Sequence, residues 1–181
     1  PPLHHALVYS WLWRDFAPAA LSRAGLQLIG PTNRLYLVPS TRQTTTFGLG
    51  EVAGDRGGVW ARSNSGLPVV LVATVQWEYD AATLPALFPT VDTDPPTPDA
   101  PRTYYPALAL VRQIAYSTLC KSAAGHSPHA FFQRKRAIAA AMEADLRGAL
   151  APYVRVVSFQ LLRTDVPQQF EDGMMATALA K

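Results

Sequence analysis

The chain has 181 residues, of which 49% are apolar and 16% charged, and its formal net charge is +3. This composition is typical of a globular domain with a substantial core and excludes an intrinsically disordered chain. The single cysteine, Cys120, excludes an internal disulfide framework. Basic residues are scattered apart from residues 134–136 (RKR), so the pattern typical of a nucleic-acid-binding protein is weak.

An apolar run near the N-terminus, residues 6–13 (ALVYSWLW), is roughly half as long as the ~20 residues that a membrane-spanning helix needs. Two interpretations of its aromatic residues stay open: they pack on the domain, or they contact a bilayer interface, where tryptophan is favoured. We predict an N-terminal apolar segment over residues 1–22 that lies close to a membrane. Its predicted membrane-contact residues are Trp11, Trp13 and Phe16.

Two strands are predicted before the middle of the chain. Residues 25–29 form an apolar run that ends at the turn residues Gly30 and Pro31. Residues 34–47 (RLYLVPSTRQTTTF) are strand-prone, with Pro39 at an edge or a bulge because it lacks a backbone N–H. A glycine-rich loop over residues 48–58 follows.

A β-hairpin is the clearest local prediction. Residues 59–62 and 69–79 flank a turn that contains Gly66. In the second arm the alternate positions are apolar, and the positions between them become polar towards its end, which predicts one buried and one wet face. The predicted inward residues are Val69, Leu71, Ala73, Val75, Trp77 and Tyr79.

Helices are predicted in the second half of the chain. Asp80 is a candidate N-cap for a short helix over residues 81–88, and the proline-rich residues 89–106 form a surface loop or insertion. Residues 107–124 present one apolar face and end before Gly125, a plausible C′ residue. That face comprises Leu108, Val111, Ala115 and Leu119.

A further helix is predicted to begin at Ser127 and Pro128, as N-cap and first helical residue, and to run to about residue 150. Its predicted buried residues are Phe131, Ile138, Met142 and Leu146, with Arg136, Glu143 and Arg147 on or beside the opposite face.

The C-terminal region reads as a strand followed by the start of a helix. Residues 154–162 are rich in β-branched and aromatic types, which favours a strand buried on both faces. Pro167 suits the first turn of a new helix, whose apolar stripe continues to the end of the sequence. Such a stripe indicates a partner surface, so we predict an oligomer interface comprising Phe170, Met174, Met175 and Leu179.

Five of these segments, in this order, resemble the SPFH or Band 7 domain of stomatins, prohibitins and flotillins. AGLQLIGP at residues 24–31 is similar to the family's PGLHFI-P segment, and SNSGLPVVLVATVQWEYD at 63–80 to its hairpin. ALALVRQIAYSTLC at 107–120 and FFQRKRAIAAAMEADLRGAL at 131–150 resemble its paired helices. VVSFQLLRTDVPQQFEDGM at 156–174 resembles the strand that enters the family's coiled-coil helix. The proline-rich segment 89–106 looks like an insertion relative to most members.

The predicted fold class is α+β: a twisted, mostly antiparallel sheet packed by two amphipathic helices, with a C-terminal strand leading into the start of a coiled-coil helix. The sheet contains residues 34–47, 59–63, 69–79 and 154–163. The predicted domains are the N-terminal segment 1–22, an SPFH-like domain over 23–166, and the start of the C-terminal helix over 167–181.

The resemblance implies a non-enzymatic, membrane-associated scaffold that oligomerises into a ring or cage and organises membrane microdomains or partner proteins. The implied partners are further copies or related SPFH subunits and a lipid bilayer, in an organelle that the sequence does not identify. An alternative stays open: a soluble SPFH-like binding module, acting as a subunit of a larger complex through residues 89–106.

No catalytic residue, cofactor or metal site is predicted. Cys120 is interpreted as a buried, inert thiol, with a nucleophile or acylation site as the alternative. His126 and His129 are interpreted as helix-end or surface residues, because a metal site would need further ligands. The basic residues 134–136 form an exposed helix face, or else meet anionic lipid or a neighbouring subunit.

Overall fold

The computed structural model describes residues 4–10, 12–13, 15–16, 30–48, 57–87 and 108–167. Its strands are β1 His4–Ser10, β2 Asp15–Phe16, β3 Asn33–Pro39, β4 Gln43–Phe47, β5 Val59–Arg62, β6 Pro68–Glu78 and β7 Arg155–Asp165. Its helices are α1 Leu84–Leu87, α2 Leu108–Ala124, α3 Pro128–Gln133 and α4 Lys135–Leu150. The predicted α+β class is confirmed.

The chain divides into two compact units. The first comprises Pro1–Gln43, Trp77–Gln113 and Leu150–Val157. The second comprises Thr44–Gln76, Ile114–Ala149 and Ser158–Lys181.

A three-stranded antiparallel sheet of order β2-β1-β3 lies in the first unit. β1 pairs with β3 along its whole length, from His4 opposite Pro39 to Ser10 opposite Asn33. Leu7 on β1 is fully buried, because its side chain points to the covered face of this sheet. Residues from the predicted N-terminal segment therefore share a sheet with β3, while the boundary after residue 22 stays a prediction.

The single strand predicted over residues 34–47 is in fact two strands in different sheets, β3 and β4. Pro39 is the last residue of β3, where its missing N–H cannot interrupt further pairing. The side-chain amide of Gln43 then donates to the carbonyl oxygen of Thr41 at 3.2 Å, which holds the connecting turn. The sequence did not predict this turn because the residues around it are strand-forming types. The strand predicted at residues 25–29 lies outside the described residues.

The second sheet has the order β4-β6-β5, and β7 also pairs with β6. The predicted hairpin is confirmed, with Val59 opposite Leu71 and Arg62 opposite Pro68. Gly66 has a φ of +81°, a backbone conformation that suits glycine in such a turn. Its N–H donates to the carbonyl oxygen of Ser63 at 2.9 Å, which closes the turn.

The alternation predicted along β6 is also confirmed. The six inward residues, from Val69 through Trp77 to Tyr79, are all buried, and the residues between them are partly exposed. The rings of Trp77 and Tyr79 pack edge to face with centroids 5.0 Å apart. Among the described strands, β6 thus has the longest run of alternately buried positions.

The start of β5 approaches β6 closely because of Gly58. A Cβ added there would lie 2.8 Å from Cγ1 of Val70 and 2.9 Å from the carbonyl oxygen of Leu71. We therefore expect Gly58→Ala to lower the free energy of unfolding by about 1–3 kcal/mol through overpacking. Urea denaturation measures this change.

Gly148 provides the matched control, because a Cβ added there in α4 would meet nothing within 4 Å. Gly148→Ala should raise stability by about 0.5–1 kcal/mol, the difference in helix propensity between the two residues. A Gly58→Ala protein as stable as the native chain would show that the two strands do not approach as described.

Asp80 caps a turn that leads into α1. Its side-chain oxygen accepts from the N–H of Ala82 at 3.0 Å, and its carbonyl oxygen accepts from Leu84 at 3.1 Å. The short helix therefore starts at Leu84, later than the predicted residue 81. The hydroxyl of Thr83 donates to the carbonyl oxygen of Tyr153 at 3.2 Å, which fixes the turn within the first unit.

Most of the apolar face predicted for α2 is confirmed. Val111, Ala115 and Leu119 are fully buried, whereas Leu108 at the start of the helix is exposed. Gly125 follows the helix but does not adopt a left-handed φ. Its N–H instead donates to the carbonyl oxygen of Ser122 at 3.1 Å, so the helix ends in a tight turn.

The helix predicted over residues 128–150 is divided into α3 and α4 at Arg134, where φ is −126° and ψ is 34°. The predicted start is confirmed, because the side chain of Ser127 accepts from the N–H of Ala130. No glycine or proline lies at the break, so no residue type marks it in the sequence. The predicted buried residues Phe131, Ile138, Met142 and Leu146 are all buried, and Leu150 extends the stripe.

β7 has one buried face rather than the two predicted. Val156, Phe159 and Leu161 are buried, while Leu162 is exposed. The buried positions change from even to odd numbers between Val156 and Phe159. This shift removes Leu162 from the core.

Glu78 at the end of β6 connects this strand to β7 and to the turn between β3 and β4. It forms ion pairs with Arg42 at 3.9 Å and with Arg155 of β7. The carboxylate of Glu78 is mostly covered, and the two guanidinium groups supply its charge partners.

Candidate interaction surfaces

The turn between β1 and β2 exposes two large apolar side chains. Leu12 is 62% exposed and Trp13 is 79% exposed. Of the other predicted membrane-contact residues, Trp11 lies outside the described residues. Phe16 lies in β2 opposite Tyr9, and only its backbone is described. Trp13 is therefore the member of the predicted set that the structure places at the surface.

The same sheet has an apolar face that is only partly covered. Val8 is opposite Leu35 and Ala6 is opposite Leu37, so these four side chains share one face. Leu35 is exposed and the other three are half-buried. We call this face, together with Leu12 and Trp13, the N-terminal apolar surface.

The sequence did not predict the contribution of Leu12 or Leu35 to this surface. Leu35 was assigned to one long strand, which left its face undefined. The alternation in residues 34–38 (RLYLV) was nevertheless present, and pairing it with the alternation in β1 would have placed both leucines of β3 on one face.

Trp60 is a second exposed aromatic residue, on the outer face of the hairpin. Its side chain is 65% exposed and is paired across the strands with Val70. Its backbone carbonyl oxygen accepts from the thiol of Cys120 at 3.5 Å. This contact places α2 beside β5 within the second unit.

The thiol of Cys120 is poorly suited to nucleophilic chemistry. Burial raises its pKa above the usual value, and a hydrogen bond with Tyr116 lowers it by less. A raised pKa reduces the thiolate fraction at neutral pH, and the thiolate is the reactive form. The geometry therefore favours the interpretation of Cys120 as an inert, half-buried thiol.

Of the two candidate histidines, His126 lies in the turn between α2 and α3, and His129 lies in the first turn of α3. The ring of His126 packs edge to face on Phe131 with centroids 6.0 Å apart, and its carbonyl oxygen accepts from the N–H of Asn64. His129 is exposed. Within the described ranges, no group of three or more His, Cys, Asp or Glu side chains is arranged to hold a metal ion. His126 thus has a visible packing role.

Two predicted contact regions fall outside the described residues. One is the interface set Phe170, Met174, Met175 and Leu179, and the other is the proline-rich segment 89–106. Of the helices in the described part of the chain, none combines the length and apolarity needed to cross a membrane.

The fold is α+β, and the candidate functional features among the described residues are exposed apolar surfaces. The sequence model of the SPFH domain / Band 7 family matches residues 6–181. The chain therefore belongs to the SPFH domain / Band 7 family, which confirms the resemblance inferred from its motifs. A search of curated proteins gave no significant match.

Membership carries functional information at the level of the family. These proteins are generally membrane-associated, non-enzymatic scaffolds, and they typically self-associate. A stomatin-like or prohibitin-like character fits this family. The match includes β1 from Ala6 onwards, and this part of the strand pairs with β3.

Proposed function

We propose that this protein is a membrane-associated scaffold that assembles into a ring or cage and organises membrane microdomains or partner proteins. The observation that carries the proposal is the N-terminal apolar surface, with Leu12 and Trp13 exposed at its turn. Leu12 and Trp13 are adjacent, and adjacent exposed apolar groups of this size usually mark an interaction site. A tryptophan at such a site suits the bilayer interface, which accommodates an amphipathic ring.

The expected strength of this contact explains why assembly matters. A tryptophan side chain can bury about 150–250 Å² of surface, so covering the exposed part of Trp13 contributes about 2–4 kcal/mol. Contacts of this size give only weak, reversible membrane binding for one copy. Many such contacts in one assembly add up to stable attachment, because each further contact becomes intramolecular.

Self-association is proposed through the predicted C-terminal stripe. Phe170 and Met174 lie on one side of a helix, with Met175 and Leu179 beside them, if residues after Pro167 keep helical periodicity. Association with further copies or with related SPFH subunits would bury this stripe. Trp11 and Phe16 are proposed to add to the bilayer contact of Trp13.

Trp13→Ser should weaken membrane binding. We expect the partition coefficient of this variant onto phosphatidylcholine vesicles, measured by flotation, to fall by about 30- to 700-fold through loss of apolar burial. Trp60→Ser is the matched control, since it removes a similarly exposed tryptophan elsewhere and should leave flotation unchanged. Equal flotation of the Trp13→Ser protein and the native protein would contradict the proposed contact.

The alternative function, a soluble binding module within a larger complex, rests on residues 89–106. If the protein fails to float with any lipid mixture, this alternative is favoured over the scaffold.

A further inference from the structure

Three consecutive cations lie at the junction between α3 and α4. Arg134, Lys135 and Arg136 are all exposed. The ion pairs found in the described residues involve other basic groups: Arg42 and Arg155 with Glu78, Arg147 with Glu143, and Arg163 with Asp165. Within the part of the chain that the structure describes, the junction therefore has three cations without a carboxylate partner.

The position of these cations is unfavourable for the helix that follows. Arg134 precedes α4, and Lys135 and Arg136 are its first two residues. The first turn of α4 contains no acidic residue. Cations at the positive end of a helix dipole are destabilising, and three adjacent like charges repel one another. An external anion would relieve both effects.

Apolar side chains flank the cations. Phe132 is 45% exposed and Leu162 of β7 is 51% exposed. The ammonium group of Lys135 donates to the carbonyl oxygen of Leu162 at 2.8 Å, which brings β7 to the start of α4. An ammonium group has three donors, so two remain for another acceptor. We call Phe132, Arg134, Lys135, Arg136 and Leu162 the junction patch.

We propose that the junction patch docks on an anionic membrane surface. The three cations meet the charged lipid headgroups, while Phe132 and Leu162 enter the boundary with the acyl chains. This inference rests on the proposed membrane-associated function and adds a lipid preference to it. Polybasic segments beside apolar groups bind anionic leaflets in this way.

A membrane fits these observations better than a nucleic acid does. Leu162 offers no ring on which a base could stack, whereas an acyl boundary accommodates it. Apart from the junction, the basic residues of the chain are scattered, so they form no continuous track along a phosphate backbone. Membership of a family whose members are generally membrane-associated also favours a membrane as the occupant.

The test compares two triple variants of the whole chain. The first is Arg134→Gln, Lys135→Gln, Arg136→Gln. The second, as a control, is Arg34→Gln, Arg62→Gln, Lys121→Gln, which removes the same charge from three exposed positions outside the junction. Flotation is measured with phosphatidylcholine vesicles and with vesicles in which about a third of the lipid is phosphatidylserine.

The junction variant should lose the preference for anionic vesicles. Each cation near an anionic surface strengthens binding about fivefold, so removing three should lower the partition coefficient on the order of 100-fold. The native preference should also fall with rising salt, because salt screens exposed charges. The midpoint temperature of thermal unfolding of the junction variant should be unchanged or slightly higher, since repulsion at the start of α4 is removed.

The possible outcomes separate the two proposals. No flotation of the native chain with either vesicle would overturn the proposed function itself. The junction patch alone would be overturned if the native chain floats but both triple variants lose anionic-vesicle binding equally. It would also be overturned if the junction variant binds anionic vesicles as strongly as the native chain. Displacement from anionic vesicles by a single-stranded oligonucleotide at equal phosphate concentration would show that the patch binds nucleic acid and that the assigned occupant is wrong.

Discussion

Trp77→Asp should leave the protein unfolded. Trp77 is fully buried near the end of β6, and its ring packs against Tyr79. Truncating a buried tryptophan costs about 3–5 kcal/mol, and placing an unpaired carboxylate in the vacated space costs several kcal/mol more. The sum is comparable with the whole stability of a typical domain, about 5–15 kcal/mol. Circular dichroism and thermal unfolding of the purified variant measure the effect.

Trp60→Asp is the matched control for this experiment. The two tryptophans lie on the same hairpin, but the side chain of Trp60 is 65% exposed. The same substitution there should change stability by no more than about 1 kcal/mol, because the carboxylate stays in water. A folded Trp77→Asp protein with unchanged thermal stability would show that this face of β6 is not the core.

Met174→Asp should weaken self-association without unfolding the domain. The spacing of Phe170, Met174 and Ala178 at intervals of four residues predicts a stripe that a partner covers. An aspartate in that stripe removes apolar burial and adds the desolvation of a charge, about 1–3 kcal/mol for each contact. Because a closed assembly repeats this contact in every subunit, the total loss of association free energy is a multiple of the loss for each contact. Sedimentation velocity over a concentration series measures how far the association equilibrium moves towards the monomer.

Ala176→Asp is the control for the stripe, because at 100° per residue it lies on the opposite side of the predicted helix. It introduces the same charge and should leave association unchanged. Normal assembly of the Met174→Asp protein would place Met174 on an exposed surface, and failure to fold would place it in the core.

The hairpin and the helix stripes could be predicted because their signals are local. A strand with one wet face repeats every two residues, and the turn required a residue that tolerates positive φ, which Gly66 supplies. Likewise, the spacing of Phe131, Ile138, Met142 and Leu146 fixed the buried side of α3 and α4.

Three features could not be predicted because no local residue type marks them. The turn between β3 and β4 lies within a run of strand-forming residues, and the break at Arg134 contains neither glycine nor proline. The buried positions of β7 shift by one residue in a strand that pairs with β6, and single-strand periodicity does not report pairing. Residue types alone therefore do not locate these three features.

The candidate surfaces were predicted in part. Trp13 was predicted to contact a membrane, and the structure shows that its side chain is exposed, while its contact with a bilayer stays a prediction. The sequence interpretation assigned no surface role to Leu12, Leu35 or Trp60. Exposure of these three depends on which face of a strand or turn is covered. The basic residues 134–136 were noted as a charged run, while the flanking exposure of Phe132 and Leu162 emerged only from the structure.

One measurement tests the proposed scaffold most directly: the mass of the protein after its extraction from membranes in mild detergent. Light scattering determines this mass once the contribution of the detergent is subtracted. A membrane-associated ring or cage predicts that the protein is recovered from the membrane fraction with a mass many times that of one chain. A protein recovered from membranes as a strict monomer would contradict assembly, and one absent from the membrane fraction would contradict the scaffold altogether.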